Sequence, residues 1–477
     1  MLSNLILKLK AINKKNVWNL VSEENQQLMR QNYRNIPAEL SLDDIKINFF
    51  SATISLEPVR KLRKLLSMKD PPIDAVIEMG LVPKLVEYLD VSIRPAIQME
   101  AAWALTNMCS GSSEQSMYII KEGAVGKFIN LLKSPNADVS DQCVWALGNI
   151  AGDGFKSRDI ILDLHVVDIL ISILEQNIRV KYQRNIVWLM LNLCRGKPSP
   201  SIQEIEKLLP ILVNFILHKD TAIVSDACWA LATIADDGQY RAQLVLDQID
   251  IEAMLDLFCN ERTSIVSAAL RCVGNILTGN DLQVAILVSY NIVNKLALLF
   301  EHKDTNVIKE VTWAISNIAA GSEKQIQNLL DNGIFEKLVN VLKNGDAKSQ
   351  YEASWAIVNA TKSGSTEQVQ KMIDKCKIIE PFCNLLRTND PKLMSVILDG
   401  IANIFGIHAR IQDTITFCDM LEGFNIVNTI KLLQEHVDDE IHKLSFQIID
   451  SYFSGVSLNI FKSNSFLIIS KIFFKEF

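Results

Sequence analysis

At 477 residues, with 49% apolar and 22% charged side chains, the chain has room for three ordinary domains or one elongated repeat array, and 12 prolines and 19 glycines leave little space for long disordered linkers. A net charge of −7 excludes the concentrated Lys/Arg surface that nucleic-acid phosphates require and favours a cationic partner. The nine cysteines carry no C-x-x-C pair and no Cys/His metal spacing, which excludes a zinc or disulfide framework and predicts buried thiols such as Cys143, Cys228 and Cys272 inside apolar helical patterns.

The first fifteen residues set Leu2, Leu5, Ile6, Leu9 and Ile12 at helical spacing with Lys8, Lys10, Lys14 and Lys15 between them. Transit peptides share that pattern, but they are rich in arginine and this stretch has none. Beyond residue 55 a larger pattern sets in. Trp103, Trp145, Trp188, Trp229, Arg271, Trp313, Trp355 and Asp399 follow one another roughly 42 residues apart, the period of armadillo and HEAT units. Four residues after these stand Asn107, Asn149, Asn192, Asn275, Asn317, Asn359 and Asn403, with Thr233 the one exception, so Trp and Asn share a helix face. Between Trp helices lies a second apolar helix, as in Gly80–Leu89, Gly123–Leu132 and Gly333–Leu342, each opened by a glycine that marks the turn. Each unit therefore reads as a short helix, a middle helix and a Trp/Asn helix. One unit cannot cover its own apolar face, so the units must stack. The expectation is an all-α, right-handed superhelical solenoid of about ten armadillo repeats over residues 51–453, with a long concave surface. No stretch approaches the ~20 uninterrupted apolar residues of a membrane span, and the apolar, weakly basic tail 454–477 is broken by Lys471.

In the helix around Trp103, residues Ala101, Ala104, Leu105 and Met108 form the core stripe, with Trp103 and Asn107 about 100° away. An isolated Trp at helical spacing belongs to a core. An amide beside the indole in seven units does not, because a buried unpaired amide costs about 1–3 kcal/mol, whereas an exposed ladder of amides can bond an incoming peptide backbone. An extended ligand then places alternate side chains between the indoles, where Lys or Arg stems meet ring faces. Asp153, Asp226, Glu310 and Glu352 project near the same face and select positive charge, with simple solvation as the competing reading.

These motifs resemble the importin α family of nuclear-import adaptors over nearly all of residues 55–453. They are Trp103-Ala-Leu-Thr-Asn107 with Ser110-Gly111, Trp145-Ala-Leu-Gly-Asn149 with Ala151-Gly-Asp153, Trp188 through Asn192-Leu-Cys-Arg195, Arg271-Cys-Val-Gly-Asn275, Trp313-Ala-Ile-Ser-Asn317 and Trp355-Ala-Ile-Val-Asn359. The resemblance implies a major site for nuclear localisation signals made of Trp103, Asn107, Ser110, Gly111, Ser116, Gln142, Trp145, Asn149, Asp153, Asn185, Trp188, Asn192, Asp226 and Trp229. Within it, Asp153, Gly111 and Ser116 cradle the most selective lysine, and Ser116 replaces a family Thr. The implied minor site is Arg271, Asn275, Thr278, Glu310, Trp313, Ser316, Asn317, Glu352, Trp355 and Asn359, with Val284 where the family has a Thr hydroxyl. Implied partners are basic signal peptides of cargo, importin β and the export receptor of the family, in a protein that shuttles between cytoplasm and nucleus without metal or cofactor.

The chain departs from the family in residues 1–50, where the importin β-binding segment lacks its arginine runs and only Arg30 and Arg34 remain before residue 50. Two readings follow: an adaptor that presents cargo to importin β, and a cargo-binding armadillo scaffold or chaperone with weak or no importin β recruitment. Arg60, Lys61, Arg63 and Lys64 read as a solvated face of the first repeat helix. The six histidines fall at unrelated repeat positions and read as surface or loop residues, and Gly274 and Gly279 as repeat turns rather than a phosphate loop, so no enzyme is expected.

Overall fold

The computed structural model describes Phe49 and residues 55–453, so the readings made on the N-terminal segment and on the tail lie outside the described residues. Every regular element among the described residues is helical, and the chain divides into two compact units after Ile211. In the first unit the long helices Leu56–Leu66, Pro95–Met108, Ala137–Asp153 and Val180–Cys194 each pack on the next, with two shorter helices between neighbours. In the second, Thr221–Ala235, Thr263–Ile276, Thr305–Ala319, Ala347–Ser363, Pro391–Arg410 and Asp439–Phe453 do the same. The fold is an armadillo-repeat array of the kind the Trp period predicts.

Local chemistry repeats with the helices. The turn between the two short helices needs a left-handed residue: Gly80, Gly123 and Gly333 supply it at φ 71°, 87° and 65°, and His165, Asn291 and Asn425 adopt it at 55°, 56° and 57°. The first short helix opens on a capping box in four units, Ser112 with Gln115, Asn280 with Gln283, Ser322 with Gln325 and Ser365 with Gln368. Long helices begin on Asp220, Asp304, Asp346 and Asp390, whose carboxylates accept the orphan N–H groups of the first turn.

One unit breaks the three-helix rule. After Cys194 a single helix, Ile202–Phe215 with Pro210 inside it, takes the place of the two short ones. Gly196, Pro198 and Pro200 prevent the first helix from forming, and the intervening chain is held by Arg158, which is 1% exposed and donates to the carbonyls of Arg195 at 2.5 Å and Pro198 at 2.8 Å. Asp159 balances its charge at 2.7 Å.

Three expectations are corrected. His408 is neither surface nor loop: it is buried, stacks on Phe417 with centroids 5.1 Å apart, and places Nδ1 3.0 Å from the Asp413 carbonyl. Gly274 lies inside the helix Thr263–Ile276, not in a turn. Seven of the nine cysteines are buried, but Cys259 is exposed and Cys418 half-buried; all nine are free thiols. The helix Pro391–Arg410 is long and apolar enough to cross a membrane by composition, yet most of it is buried against its neighbours as a core helix.

Candidate functional site

The Trp/Asn face runs from the middle of each Trp-bearing long helix toward its C-terminal end. In the first unit Trp103, Trp145 and Trp188 are half-buried and successive, with the Trp145 and Trp188 rings 6.0 Å apart and tilted by 55°. In the second unit Trp229 is buried, while Trp313 and Trp355 keep partial exposure. Glycine explains how the indoles come to lie so low. A Cβ on Gly148 would fall inside the Trp188 ring, and one on Gly274 inside the Trp313 ring, so these two glycines let an indole rest directly on the backbone of the preceding helix. Both stand immediately before the Asn of their motif, and that position was the available signal for them in the sequence.

The amides are not the freely exposed ladder expected from the sequence. Asn192, Asn275 and Asn317 are buried, and Asn107, Asn149 and Asn359 half-buried. Most donate one N–H to the preceding long helix: Asn149 to the Thr106 carbonyl at 3.3 Å, Asn275 to Ala232 at 2.7 Å, Asn317 to Gly274 at 3.5 Å and Asn359 to Ser316 at 2.9 Å. The Thr106 and Gly274 carbonyls lie in the last turn of their helices, where the amide acts as a cap across the repeat boundary, whereas the Ala232 and Ser316 carbonyls also accept from the Asp236 and Ala320 N–H groups at 3.1 and 3.2 Å. Asn107 donates instead to the Ser67 hydroxyl at 2.9 Å, and Asn192 accepts from Arg195 at 3.0 Å. In the four carbonyl-bound amides the Oδ1 and second N–H remain for a ligand.

Two cations already occupy this face. Arg63, predicted as part of a solvated surface, is a correction: its guanidinium lies 4.3 Å from the Trp103 ring centroid and its Nε is 2.7 Å from Glu100. Glu100 is buried and stands three residues before Trp103, the register of Asp226, Glu310 and Glu352, yet sequence reasoning passed over it. In the second unit Arg271 stacks 4.8 Å from the Trp313 centroid and pairs with Glu310 at 2.5 Å, which also takes Lys309 at 2.8 Å. Trp with a carboxylate three residues earlier is thus a cation-holding unit.

The Asp153 region has a different build. Asp153 is half-buried at the C-terminal end of its helix, where the helix dipole disfavours a negative charge and a cation relieves it. Its carboxylate accepts from Ser113 at 2.7 Å and Ser157 at 3.2 Å. Close by lies the buried Cys109 thiol, pushed up by burial and then by the Asp153 charge. Ser116 touches that thiol but is fully buried, and its hydroxyl makes no proper hydrogen bond. Gly111 has a local duty: a Cβ there would strike Gln115 Oε1, which accepts from the Ser112 N–H at 2.9 Å.

The remaining predicted positions are mostly tied to their own repeats. Ser110, Thr278 and Ser316 donate to the carbonyls of Asn107, Asn275 and Trp313 at 2.7, 2.7 and 2.8 Å, and Gln142 donates to Thr106 Oγ1 at 2.8 Å. Asn185 and Asp226 are half-buried and Glu352 is buried, each three residues before its Trp. Val284 occupies the register of Ser116 and is buried, so no hydroxyl stands there. Buried atoms without a partner among the described residues include Trp145 Nε1, Ser116 Oγ, Arg271 Nε and Glu310 Oε2.

Comparison with known proteins places these repeats. The armadillo/beta-catenin-like repeat family matches residues 69–110, 112–152, 200–236, 280–320 and 322–362, and an atypical armadillo repeat matches 416–460. Importin subunit alpha-2 of Arabidopsis thaliana is 47% identical over 408 residues, covering 84% of this chain and 76% of that protein. Importin subunit alpha-1b of Oryza sativa subsp. japonica is 40% identical over 197 residues, 41% of this chain and 37% of that protein. Importin subunit alpha-B of Dictyostelium discoideum is 37% identical over 233 residues, 48% and 44% of the two chains. The crystal structure of an engineered protein superposes with a TM-score of 0.75 at 25% identity, over 85% of this chain and 98% of that one.

Proposed function

From the chain's membership of the importin α family, we propose that it is a nuclear-import adaptor that holds lysine- and arginine-rich localisation signals against its Trp/Asn faces. The observation that carries this reading is the pair of guanidinium groups already seated there, Arg63 on Trp103 with Glu100 and Arg271 on Trp313 with Glu310. The face holds cations by ring stacking and ion pairing at once, and each such contact is worth about 0.5–2 kcal/mol depending on desolvation. The lysine of highest selectivity belongs at Asp153, where Ser113 and Ser157 fix the carboxylate. Oδ1 atoms of Asn149, Asn275 and Asn359 accept from the peptide backbone while their N–H groups stay on the neighbouring helix. Val284 makes the second-unit site the weaker of the two.

The test is a titration of a lysine-rich signal peptide against the wild type and Asp153→Lys, with helicity checked by circular dichroism. The substitution is expected to weaken binding by at least about tenfold, because a like charge replaces the partner of a desolvated ammonium. Equal affinity would remove Asp153 from the site. Presentation of cargo to importin β belongs to the same proposal. The second reading, a cargo scaffold without that carrier, is favoured by the missing arginine runs before residue 50. Co-purification with importin β that disappears on deleting residues 1–35 supports the adaptor; peptide binding without carrier binding supports the scaffold.

A further inference from the structure

The repeats act as controls for one another on their short helices. At the second residue of the first short helix, four repeats expose a charged side chain: Glu114, Lys156, Lys324 and Glu367. In two adjacent repeats that position is apolar instead. Tyr240 holds it on Gln239–Gln248 and Leu282 on Asp281–Ser289, and they are 65% and 75% exposed. One turn later Leu244 is half-buried and Ile286 exposed, and Tyr290 follows on the face of Leu282 and Ile286, also exposed. The two helices start side by side, because Gln283 donates to the Gln239 carbonyl at 3.1 Å and to Gln243 Oε1 at 2.9 Å. The five side chains therefore form one patch that spans two repeats. A single exposed apolar residue is ordinary, whereas a contiguous group marks an interaction site. Ile415 is the contrast: it takes the same register on Thr414–Gly423 and is 60% exposed, but Asp419 follows it one turn later.

We propose that this patch docks an amphipathic helix of a partner protein, one with leucine or isoleucine along one face and lysine or arginine at its margins. Charge selects the margins. Asp247 and Asp281 are exposed on the two helices, and Asp236 and Asp250 at the ends of the first, while the one basic residue of the two helices, Arg241, pairs with Asp237 at 3.2 Å. Backbone chemistry selects the helix. An extended peptide has to bond its N–H and C=O groups to the surface it lies on, as the amides of the Trp/Asn faces would allow. In this patch the amides are engaged with the protein itself, Gln283 on Gln239 and Gln243, and Gln243 Nε2 on Asp247 at 2.6 Å. A ligand helix satisfies its own backbone and needs only an apolar face to receive it. Two of the five positions are tyrosine, a residue enriched where binding energy concentrates.

Two other occupants fit less well. A second copy would bring the same acidic margins against each other across a two-fold axis. A membrane surface carries anionic lipid and attracts basic helices rather than a face edged with aspartate.

The probe is a labelled synthetic alanine-based helix with leucines at i, i+3, i+4 and i+7 and lysines on either side of them. Its affinity for the full chain is measured by fluorescence anisotropy in excess of an unlabelled scramble of the same composition, whose leucines share no face, so that binding through lysine alone does not register. The helix is expected to bind at least about tenfold more tightly than the labelled scramble, and to lose about tenfold or more when its lysines are replaced by glutamate. Leu282→Lys and Tyr290→Asn install the residues that the next repeat carries at those positions, Lys324 and Asn332. Each is expected to weaken binding by about tenfold or more with unchanged circular dichroism, and Tyr290→Asn does so without altering charge. Ile415→Lys is expected to leave the affinity as it was. No binding of the helix, a scramble or a glutamate version that binds as tightly, or affinity that survives both patch substitutions overturns the proposal. So does a full chain that sediments as a dimer, or that floats with anionic vesicles, and ceases to do so in Tyr290→Asn.

Discussion

At the scale of single residues, the site depends as much on absent side chains as on present ones. Gly148 sits inside its helix, where glycine costs about 1 kcal/mol relative to alanine, and Gly274 in the last turn of its own; the indoles of Trp188 and Trp313 occupy the space a methyl group would need at each. Gly148→Ala therefore sets a gain in helix propensity against a steric clash. The clash wins, because the Cβ meets a ring fixed beside Trp145 rather than a flexible chain end, and overpacking of this kind costs about 1–3 kcal/mol. Urea unfolding of Gly148→Ala is expected to show a net loss of stability together with a shift in indole emission. A variant that gains stability with unchanged emission would mean that the indole is not seated on this backbone.

At the scale of helices, successive repeats are joined by amides that donate to carbonyls in a neighbour's last turn, and the end of the second unit adds an electrostatic strain. Asp399 takes the Trp position of Pro391–Arg410. Its side chain reaches solvent, yet the surrounding chain crowds the carboxyl, and this desolvation, then Glu440, push it up from 3.8 to about 6 against the pull of Lys362. A carboxyl raised in the folded state binds more protons than in the unfolded one, so its contribution favours folding at low pH and is lost as pH rises from about 4 through 6. Asp399→Asn is expected to raise stability at pH 7.5 and to change it little at pH 4, by less than about 1 kcal/mol once solvent screening is allowed for. Chemical denaturation at the two pH values checks the sign. A variant less stable than the wild type at pH 7.5 would show that the ionised Asp399 is held by a favourable partner.

For the whole molecule, the array was legible from the sequence because burial repeats: a Trp period near 42 residues fixes helix, face and stacking together. Contacts between repeats were not legible, since a pattern names a face without naming what meets it. Asn275 reads the same whether its amide points to solvent or to Ala232, and Arg63 looks like any exposed arginine until the helix beside it brings Trp103 and Glu100. The pair of short helices expected before Thr221 failed because Pro198 and Pro200 outweigh the apolar periodicity around them. Charge also acts at this scale. With a net charge of −7, the field of the protein draws a basic peptide toward it before any contact forms, and that long-range part is screened beyond a Debye length of about 10 Å at 0.1 M salt. Contacts like that of Arg63, pressed between an indole and a buried carboxylate, are screened far less. Stopped-flow association of a lysine-rich peptide should therefore slow by about tenfold between 50 and 500 mM salt, while its dissociation rate changes by less than about threefold. If salt acted mainly on dissociation, the peptide's charges would be held at an exposed rim rather than between the rings, and the seat proposed at Asp153 and the Trp faces would be wrong.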